Sequence, residues 1–522
     1  MFCIAPFVIC NFLICNFLMA GVKALAKDTA IYGLSSIIGR FLNWCLVPLY
    51  VWIFPTQEYG IVSYLYSFTA VALVILTYGM ETGFFRYANK SERPETVYTT
   101  SLISIGASSL LFVLILSLFL QPISTAIKLP NHSDYVWMLG AIVAVDAFTN
   151  LPFAYLRYKK RAIRFAAIKM LNVAVNIAMN IFFLLVCPWL ERHAPATIDW
   201  FYSLPGGESY GIGWIFVANC VSTLVVFLCL LPDITGRKYV FDSKLWKTML
   251  GYSWPLLILG VAGIMSQNMG QMVIPYLFED QTVARSMVGI YGANIKIAII
   301  MVMFTQAFRY AYEPFIFSQA NKAGEDKGQA YCDAMKFFII LGLLIFLGVM
   351  FYLPVIKHFV SPAYWPGLEV VPIMMVAELF VGIAFNLSLW YKLTDRTAWG
   401  MYLSVGCFIV MLALNLVLVP WIGAPNGYIG SAWAALIAYL LMMVVSWAAG
   451  QKYYPLPYEY KRIGLYVVIA AALYAVGQYV FDFPEMMWAT YLTRTVLLLV
   501  YLLIVIRAEH LPLPAPLRRL SK

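Results

Sequence analysis

The sequence predicts an all-α polytopic membrane protein of about fourteen transmembrane helices, arranged as two parallel six-helix bundles followed by two C-terminal helices. Three observations carry this prediction. Of the 522 residues, 62% are hydrophobic and 11% charged, far from the roughly 25% charged residues that a water-facing chain carries. Apolar runs of about twenty residues recur along the whole chain, long enough for membrane helices and unlike the short alternating strands of an outer-membrane barrel. The second half also repeats features of the first.

Taken in order, residues 1–18 are apolar but lack the basic n-region and small-residue cleavage site of a secretory signal. Met19 is followed by Ala-Gly-Val-Lys, so translation is expected to begin there, with 1–18 a mis-assigned leader. The first bundle, residues 27–232, has spans near 28–50, 61–85, 98–120, 135–157, 166–187 and 212–232. A cytoplasmic linker, 233–249, leads to the second bundle, 250–450, with spans near 250–275, 288–312, 335–356, 369–391, 399–420 and 429–450. Spans 13 and 14 lie near 463–481 and 488–507, and a basic tail, 508–522, closes the chain. The longest outside loop, about 188–211, is too short for a catalytic domain.

With the N-terminus inside, 27 of the 35 lysines and arginines fall on the cytoplasmic side and four (Lys128, Arg192, Arg285, Lys357) outside. That asymmetry puts both termini in the cytoplasm. It also explains the net charge of +10 by an anionic leaflet, with no nucleic acid involved. The nine cysteines have no paired spacing and the four histidines are isolated, so neither a disulfide framework nor a metal-ligand set is legible. A membrane enzyme would need a catalytic loop or a cluster of histidines and carboxylates, and neither is legible.

The repeat is clearest where Asp146, Lys160 and Arg164 recur at an offset of 232 residues as Glu378, Lys392 and Arg396. Asn180, Pro188 and Gly211-Ile212-Gly213-Trp214 are echoed by Asn415, Pro420 and Gly427-Tyr428-Ile429-Gly430. Six spans separate each pair, so the two copies share one orientation, as in transporters that rock two bundles about a centre.

Ionisable residues deep in a membrane cost at least about 2.5 kcal/mol each, so each requires a reason. Arg40 in span 1 and Lys296 in span 8 fall close to the bilayer midplane at 1.5 Å rise per residue. Together they would make a positive site for an anionic substrate, the guanidinium able to hold two oxygens at once; the alternative is that each neutralises a carboxylate for structure alone. Arg309 is a further substrate candidate, although Glu313 at i+4 and Pro314 beyond it also fit a local ion pair or gate. Asp146 and Glu378 are natural sites for coupling to Na+ or H+, or else partners of the two cations. Glu81 and Arg86 suit a gate or entrance at the end of span 2. Asn43, Ser266, Gln267, Asn268, Asn294 and Gln306 are expected either to line a cavity and hydrogen-bond a polar substrate or to pack helices closely.

Five stretches carry a family resemblance: PLYVWIFPTQEYGIVSY, YGMETGFFRY, YSWPLLILGVAGI, VGIYGANIKIAIIMVMFTQAFRYAYEPF and LNLVLVPWIGAPNGYIGSAWAALIAY. Over about residues 27–450 the chain resembles the oligosaccharide flippases of the multidrug/oligosaccharidyl-lipid/polysaccharide exporter superfamily. The resemblance implies a MATE-like fold in a bacterial plasma (inner) membrane. It implies translocation of an undecaprenyl-pyrophosphate-linked oligosaccharide to the outer leaflet through a cationic cavity, for O-antigen, capsule or exopolysaccharide assembly. It implies no organic cofactor, and extends to a polysaccharide polymerase or chain-length regulator as a partner. One departure is plain: many relatives carry an Asp-Arg pair late in span 7, where this chain reads Asn268-Met269-Gly270-Gln271, so that pair's role is not carried over. A multidrug/organic-cation antiporter would want an acidic cavity, which Arg40 and Lys296 disfavour. A peptidoglycan lipid-precursor flippase shares the fold and charge logic, and only the resemblance separates it.

Overall fold

The computed structural model describes residues 38–194, 211–320, 327–394, 396, 398–480 and 486–509. The expected leader and the end of the basic tail lie outside them. Thirteen helices among the described residues are long and apolar enough to cross a membrane, and a shorter apolar helix, α1 (Ile38–Ile53), stands where the first span is expected. The remaining helices of the first bundle are α2 (Thr56–Ala88), α3 (Pro94–Leu118), α4 (Ser133–Tyr158), α5 (Ala162–His193) and α6 (Gly213–Ile234). The second bundle has α7 (Ser243–Leu277), α8 (Gln281–Ala320), α9 (Lys327–Phe351), α10 (Pro362–Leu393), α11 (Ala398–Ile422) and α12 (Tyr428–Tyr453). Two more helices follow, α13 (Tyr460–Val480) and α14 (Met487–Ala508). No strand occurs among the described residues.

Helices α7 and α8 begin well before their apolar runs, because a carboxylate caps each start. Asp242 accepts from the Lys244 and Leu245 amides at 2.9 and 3.0 Å, and Asp280 from the Thr282 amide at 2.8 Å. Such caps satisfy amides that would otherwise be orphaned and extend helix into polar sequence. Helix α2, expected to be continuous, is broken at Tyr78 (φ 31°) and Gly79 (φ 69°). The left-handed conformation suits glycine, and the Gly79 carbonyl accepts from the Gly83 amide at 3.1 Å and from Ser253 Oγ of α7 at 3.3 Å.

The two bundles share one packing scheme. Helix α4 lies against α2, α3 and α6, and α10 correspondingly against α8, α9 and α12; α5 pairs with α6 as α11 pairs with α12. Helices α2 and α8 cross at Gly60 and Gly289 so closely that a Cβ on Gly60 would collide with the Arg285 carbonyl, and one on Gly289 with the Thr56 carbonyl.

The hydrophobic core divides unevenly between the basic face and the charge-poor face opposite. Near the charge-poor face the bundles share a core in which Leu46, Tyr64 and Phe216 pack in one cluster with Ile274, Met287 and Tyr291. Towards the basic face the first bundle has its own core on Met80, Phe84, Leu102, Leu151 and Leu230, joined from the second bundle by Met249 at the start of α7. Helices α13 and α14 are fixed to α9 at two depths. Arg494, 1% exposed, donates to the Gly477 and Phe351 carbonyls at 3.1 Å each. Nearer the basic face Lys336 pairs with Glu509 at 2.8 Å and with Glu459 and Asp333 at 3.3 Å.

Candidate functional site

At the charge-poor face the bundles are sealed. Thr56 and Ser286 share a hydrogen bond of 2.7 Å, Tyr364 donates to the Phe54 carbonyl at 2.8 Å, and Arg285 donates to the Lys128 carbonyl at 3.0 Å. Any path between the bundles therefore opens towards the basic face, where the shared core ends.

On that path α1 meets α8. Trp44 donates from Nε1 to the Lys296 carbonyl at 2.7 Å, which puts the middle of α1 level with Lys296. Arg40 lies one turn, about 6 Å, nearer the basic face; its guanidinium is exposed and donates to Gln306 Oε1 of the second bundle. Neither Arg40 nor Lys296 has a carboxylate within ion-pair distance among the described residues. Asn43 is exposed beside Arg40 and accepts from Asn176 of α5 at 3.4 Å. Arg40, Asn43 and Gln306 thus lie along one seam between the bundles, and the backbone of Lys296 meets α1 there.

The carboxylates lie elsewhere, within the bundles. Asp146 of α4 accepts from Thr223 Oγ1 of α6 at 3.3 Å. Asn219 and Cys220 of α6 and Tyr66 of α2 are close by, with Asn219 donating to the Tyr66 hydroxyl at 3.2 Å. The cation nearest Asp146 is Lys169 of α5, which also feels the charges of Arg157, Glu81 and Arg40. Glu378 of α10 faces the tyrosines Tyr291 of α8 and Tyr439 of α12, and no hydrogen bond to its carboxylate is made among the described residues.

Other expected site residues are placed differently. Glu81 pairs with Arg157 of α4 inside the first bundle. Arg86 lies over the Tyr252 ring of α7, 4.2 Å from its centroid, and so links the two bundles at the basic face. Arg309 lies over Phe385 at 4.7 Å; the side chain of Glu313 lies outside the described residues. Asn294 is buried and donates to the Ile290 and Tyr364 carbonyls at 2.8 Å each, pinning α8 to the segment that starts α10. Ser266 and Asn268 bond to their own helix at 2.8 and 2.9 Å, while Gln267 is exposed.

Sequence reasoning missed Lys169 and Arg157, which it took as ordinary charges at the basic face. A signal existed in the helical register: Asp146, Phe153 and Arg157 fall at i, i+7 and i+11, one stripe of α4. Lys169 sits over Phe153 at 4.0 Å. The repeat partner of Phe153 at the 232-residue offset is Phe385, which carries Arg309 and, at 4.8 Å, Lys392. Each bundle therefore presents a cation on an aromatic ring at a repeat-related position, an arrangement favourable to a desolvated cation.

The model of a family described as polysaccharide biosynthesis protein matches residues 25–318. No curated protein matches the chain. Among solved structures, the chain is similar to an inward-facing multidrug resistance MATE family transporter of the MOP superfamily, at 13% identity and a TM-score of 0.62, covering 84% of this chain and 97% of that one. It is likewise similar to the lipid II flippase MurJ in an inward closed conformation, at 14% identity and a TM-score of 0.62, covering 92% of this chain and 99% of that one. At such identities the likeness establishes the MATE-like fold alone. The family match takes in more than half of the sequence, including Arg40, Asp146, Lys169 and Lys296, and the chain belongs to the polysaccharide biosynthesis protein family.

Proposed function

We propose that the protein is a flippase that carries an undecaprenyl-pyrophosphate-linked oligosaccharide from the cytoplasmic to the outer leaflet of a bacterial plasma membrane by alternating access, for O-antigen, capsule or exopolysaccharide assembly. The observation that supports this reading most is the separation of charge: Arg40 reaches across the seam between the bundles and Lys296 lies on the stretch of α8 that α1 meets there, neither with a carboxylate partner among the described residues, while Asp146 and Glu378 are held inside the bundles. A seam of that sign suits pyrophosphate and opposes a lipophilic cation. Both MATE and MurJ folds match equally well by TM-score, so the charge of the seam, rather than the fold, favours the anionic substrate over a drug antiporter.

In this reading the basic face is cytoplasmic, and the sealed charge-poor face makes the arrangement inward-facing. Pyrophosphate settles on Arg40 and Lys296, Gln306 and Asn43 meet sugar hydroxyls, and the bundles rock. Two negative charges moving outward gain about 2.3 kcal/mol each per 100 mV of inside-negative potential. Asp146, with Thr223, Asn219 and Lys169 about it, is the coupling site for Na+ or H+ that resets the cycle.

The test is binding of the undecaprenyl-pyrophosphate-linked oligosaccharide to the purified protein beside Arg40→Ala and Lys296→Ala, with a lipophilic cation as competitor. Binding weakened by either substitution and indifferent to the cation is expected. Binding of the cation alone would place the chain with the drug antiporters.

A further inference from the structure

A second feature lies on the lipid side of the molecule, where α2, α3 and α7 enclose a groove of about 690 Å³. Its walls are apolar, with Ile75, Ile103, Leu111, Leu250, Trp254 and Leu257 among them. On α7 the lining runs from Trp246 to Leu257, a rise of about 16 Å, against about 15 Å for half of a 30 Å hydrocarbon core. The groove therefore starts at the basic face and ends near the bilayer midplane, the depth of one leaflet. Its polar groups are already paired: Ser104 Oγ meets the Tyr78 hydroxyl at 2.6 Å and accepts from Trp246 Nε1 at 2.7 Å. An occupant of the shaft needs only hydrocarbon.

The mouth has different chemistry. The linker residues Tyr239, Val240 and Phe241 are 48%, 50% and 46% exposed, although the backbone there is held to α3, Thr99 donating to the Val240 carbonyl at 2.9 Å and the Asp242 amide to Thr100 at 3.1 Å. An apolar triplet fixed at that level belongs in the interfacial zone. Around it stand Lys238, Lys244 and Lys247, all exposed and without an ion-pair partner among the described residues. Asp242, the carboxylate within the same segment, is engaged in capping α7.

We propose that this groove holds one acyl chain of an anionic phospholipid from the leaflet at the basic face, with its phosphate among Lys238, Lys244 and Lys247. Because α2 and α3 belong to one bundle and α7 to the other, the lipid braces the arrangement sealed at the charge-poor face. A polyprenyl tail is a poorer occupant. It exceeds one leaflet in length, and the groove is separated from the Arg40 and Lys296 seam by the contact of Ser253 with Gly79. The inference does not depend on what the bundles carry.

The test is native mass spectrometry of the full-length protein released from micelles containing phosphatidylglycerol or phosphatidylcholine, with undecaprenyl phosphate as competitor. Wild type should retain one phosphatidylglycerol in preference to phosphatidylcholine. Ala107→Trp, on the exposed lining of the shaft, should lose it. Lys244→Glu with Lys247→Glu, a surface variant that spares the shaft, should reduce the preference by about five-fold for each lysine removed. Equal retention of both phospholipids by wild type, retention unchanged in Ala107→Trp, or a preference unchanged in the lysine variant would overturn the proposal. Displacement by equimolar undecaprenyl phosphate would overturn it in favour of a substrate tail.

Discussion

The two bundles descend from one pattern, yet their buried carboxylates sit in unlike surroundings. Asp146 has a hydroxyl donor in Thr223 and a cation in Lys169, with Asn219 bonded to Tyr66 close by. At the register set by Gly211 and Gly427, the repeat partner of Thr223 is Tyr439, so the corresponding place beside Glu378 is filled by an aromatic ring. The bundles differ in bracing as well. The second alone has α13 and α14 clamped to it through Arg494 and Lys336. The second copy thus keeps the helix packing and the carboxylate's place, while the neighbours have diverged. The first bundle places polar partners at its carboxylate, and the second is braced by two further helices.

The largest effect that would break this comparison is loss of the brace. Lys336→Met leaves Glu509, whose side chain is 5% exposed, without its closest cation, at a cost of about 3 to 5 kcal/mol. Thermal unfolding in detergent should show a large fall in midpoint, with α13 and α14 becoming sensitive to protease before the first bundle does. Unchanged protease resistance would mean that the second bundle is no stiffer than the first.

Next in size is the asymmetry of the carboxylates. Asp146→Asn should reduce ion-dependent transport by about ten-fold or more, within the 1 to 3 kcal/mol typical of a coupling free energy, and Glu378→Gln by much less. Equal losses would remove the functional distinction between the bundles. Smaller again is Thr223→Val, which removes one hydrogen bond to a carboxylate, worth about 1.5 to 3 kcal/mol when the acceptor is charged and less here at 3.3 Å. It should shift the ion concentration for half-maximal transport by several-fold while leaving substrate binding unchanged.

The smallest effect is a pH dependence of the brace. Burial works to raise the Glu509 pKa, but hydrogen bonds from Lys336 and Tyr466 outweigh it and hold the carboxyl below its ordinary value. A carboxylate with a lowered folded pKa contributes stability above its unfolded pKa and loses it as pH falls through the folded one. Acidification below about pH 4 should therefore narrow the difference in melting temperature between wild type and Glu509→Gln.

Much of this was legible in the sequence, because apolar runs must match the bilayer and charges within them stand out. The fourteen helices, Asp146 with its repeat partner, and the cations Arg40 and Lys296 are all visible that way. What stayed hidden depends on side-chain direction. Lys169 looks like any lysine at the basic face until α5 turns it towards Asp146 and Phe153. Arg494 reads as an isolated charge until α13 and α9 offer it two carbonyls. The break at Tyr78 and Gly79 lies inside an apolar run, and the Ser253 hydroxyl that meets it is remote in sequence. Asn294 carries no mark that separates a sugar ligand from a clamp on Tyr364.

The proposed function has Arg40 and Lys296 hold the pyrophosphate of a lipid-linked sugar. Its most direct test is equilibrium binding of one sugar carried on polyprenyl pyrophosphate or on polyprenyl monophosphate, to wild type, Arg40→Ala and Lys296→Ala. A preference of wild type for the pyrophosphate that collapses in both variants is the predicted result. The same preference in all three proteins would contradict the account.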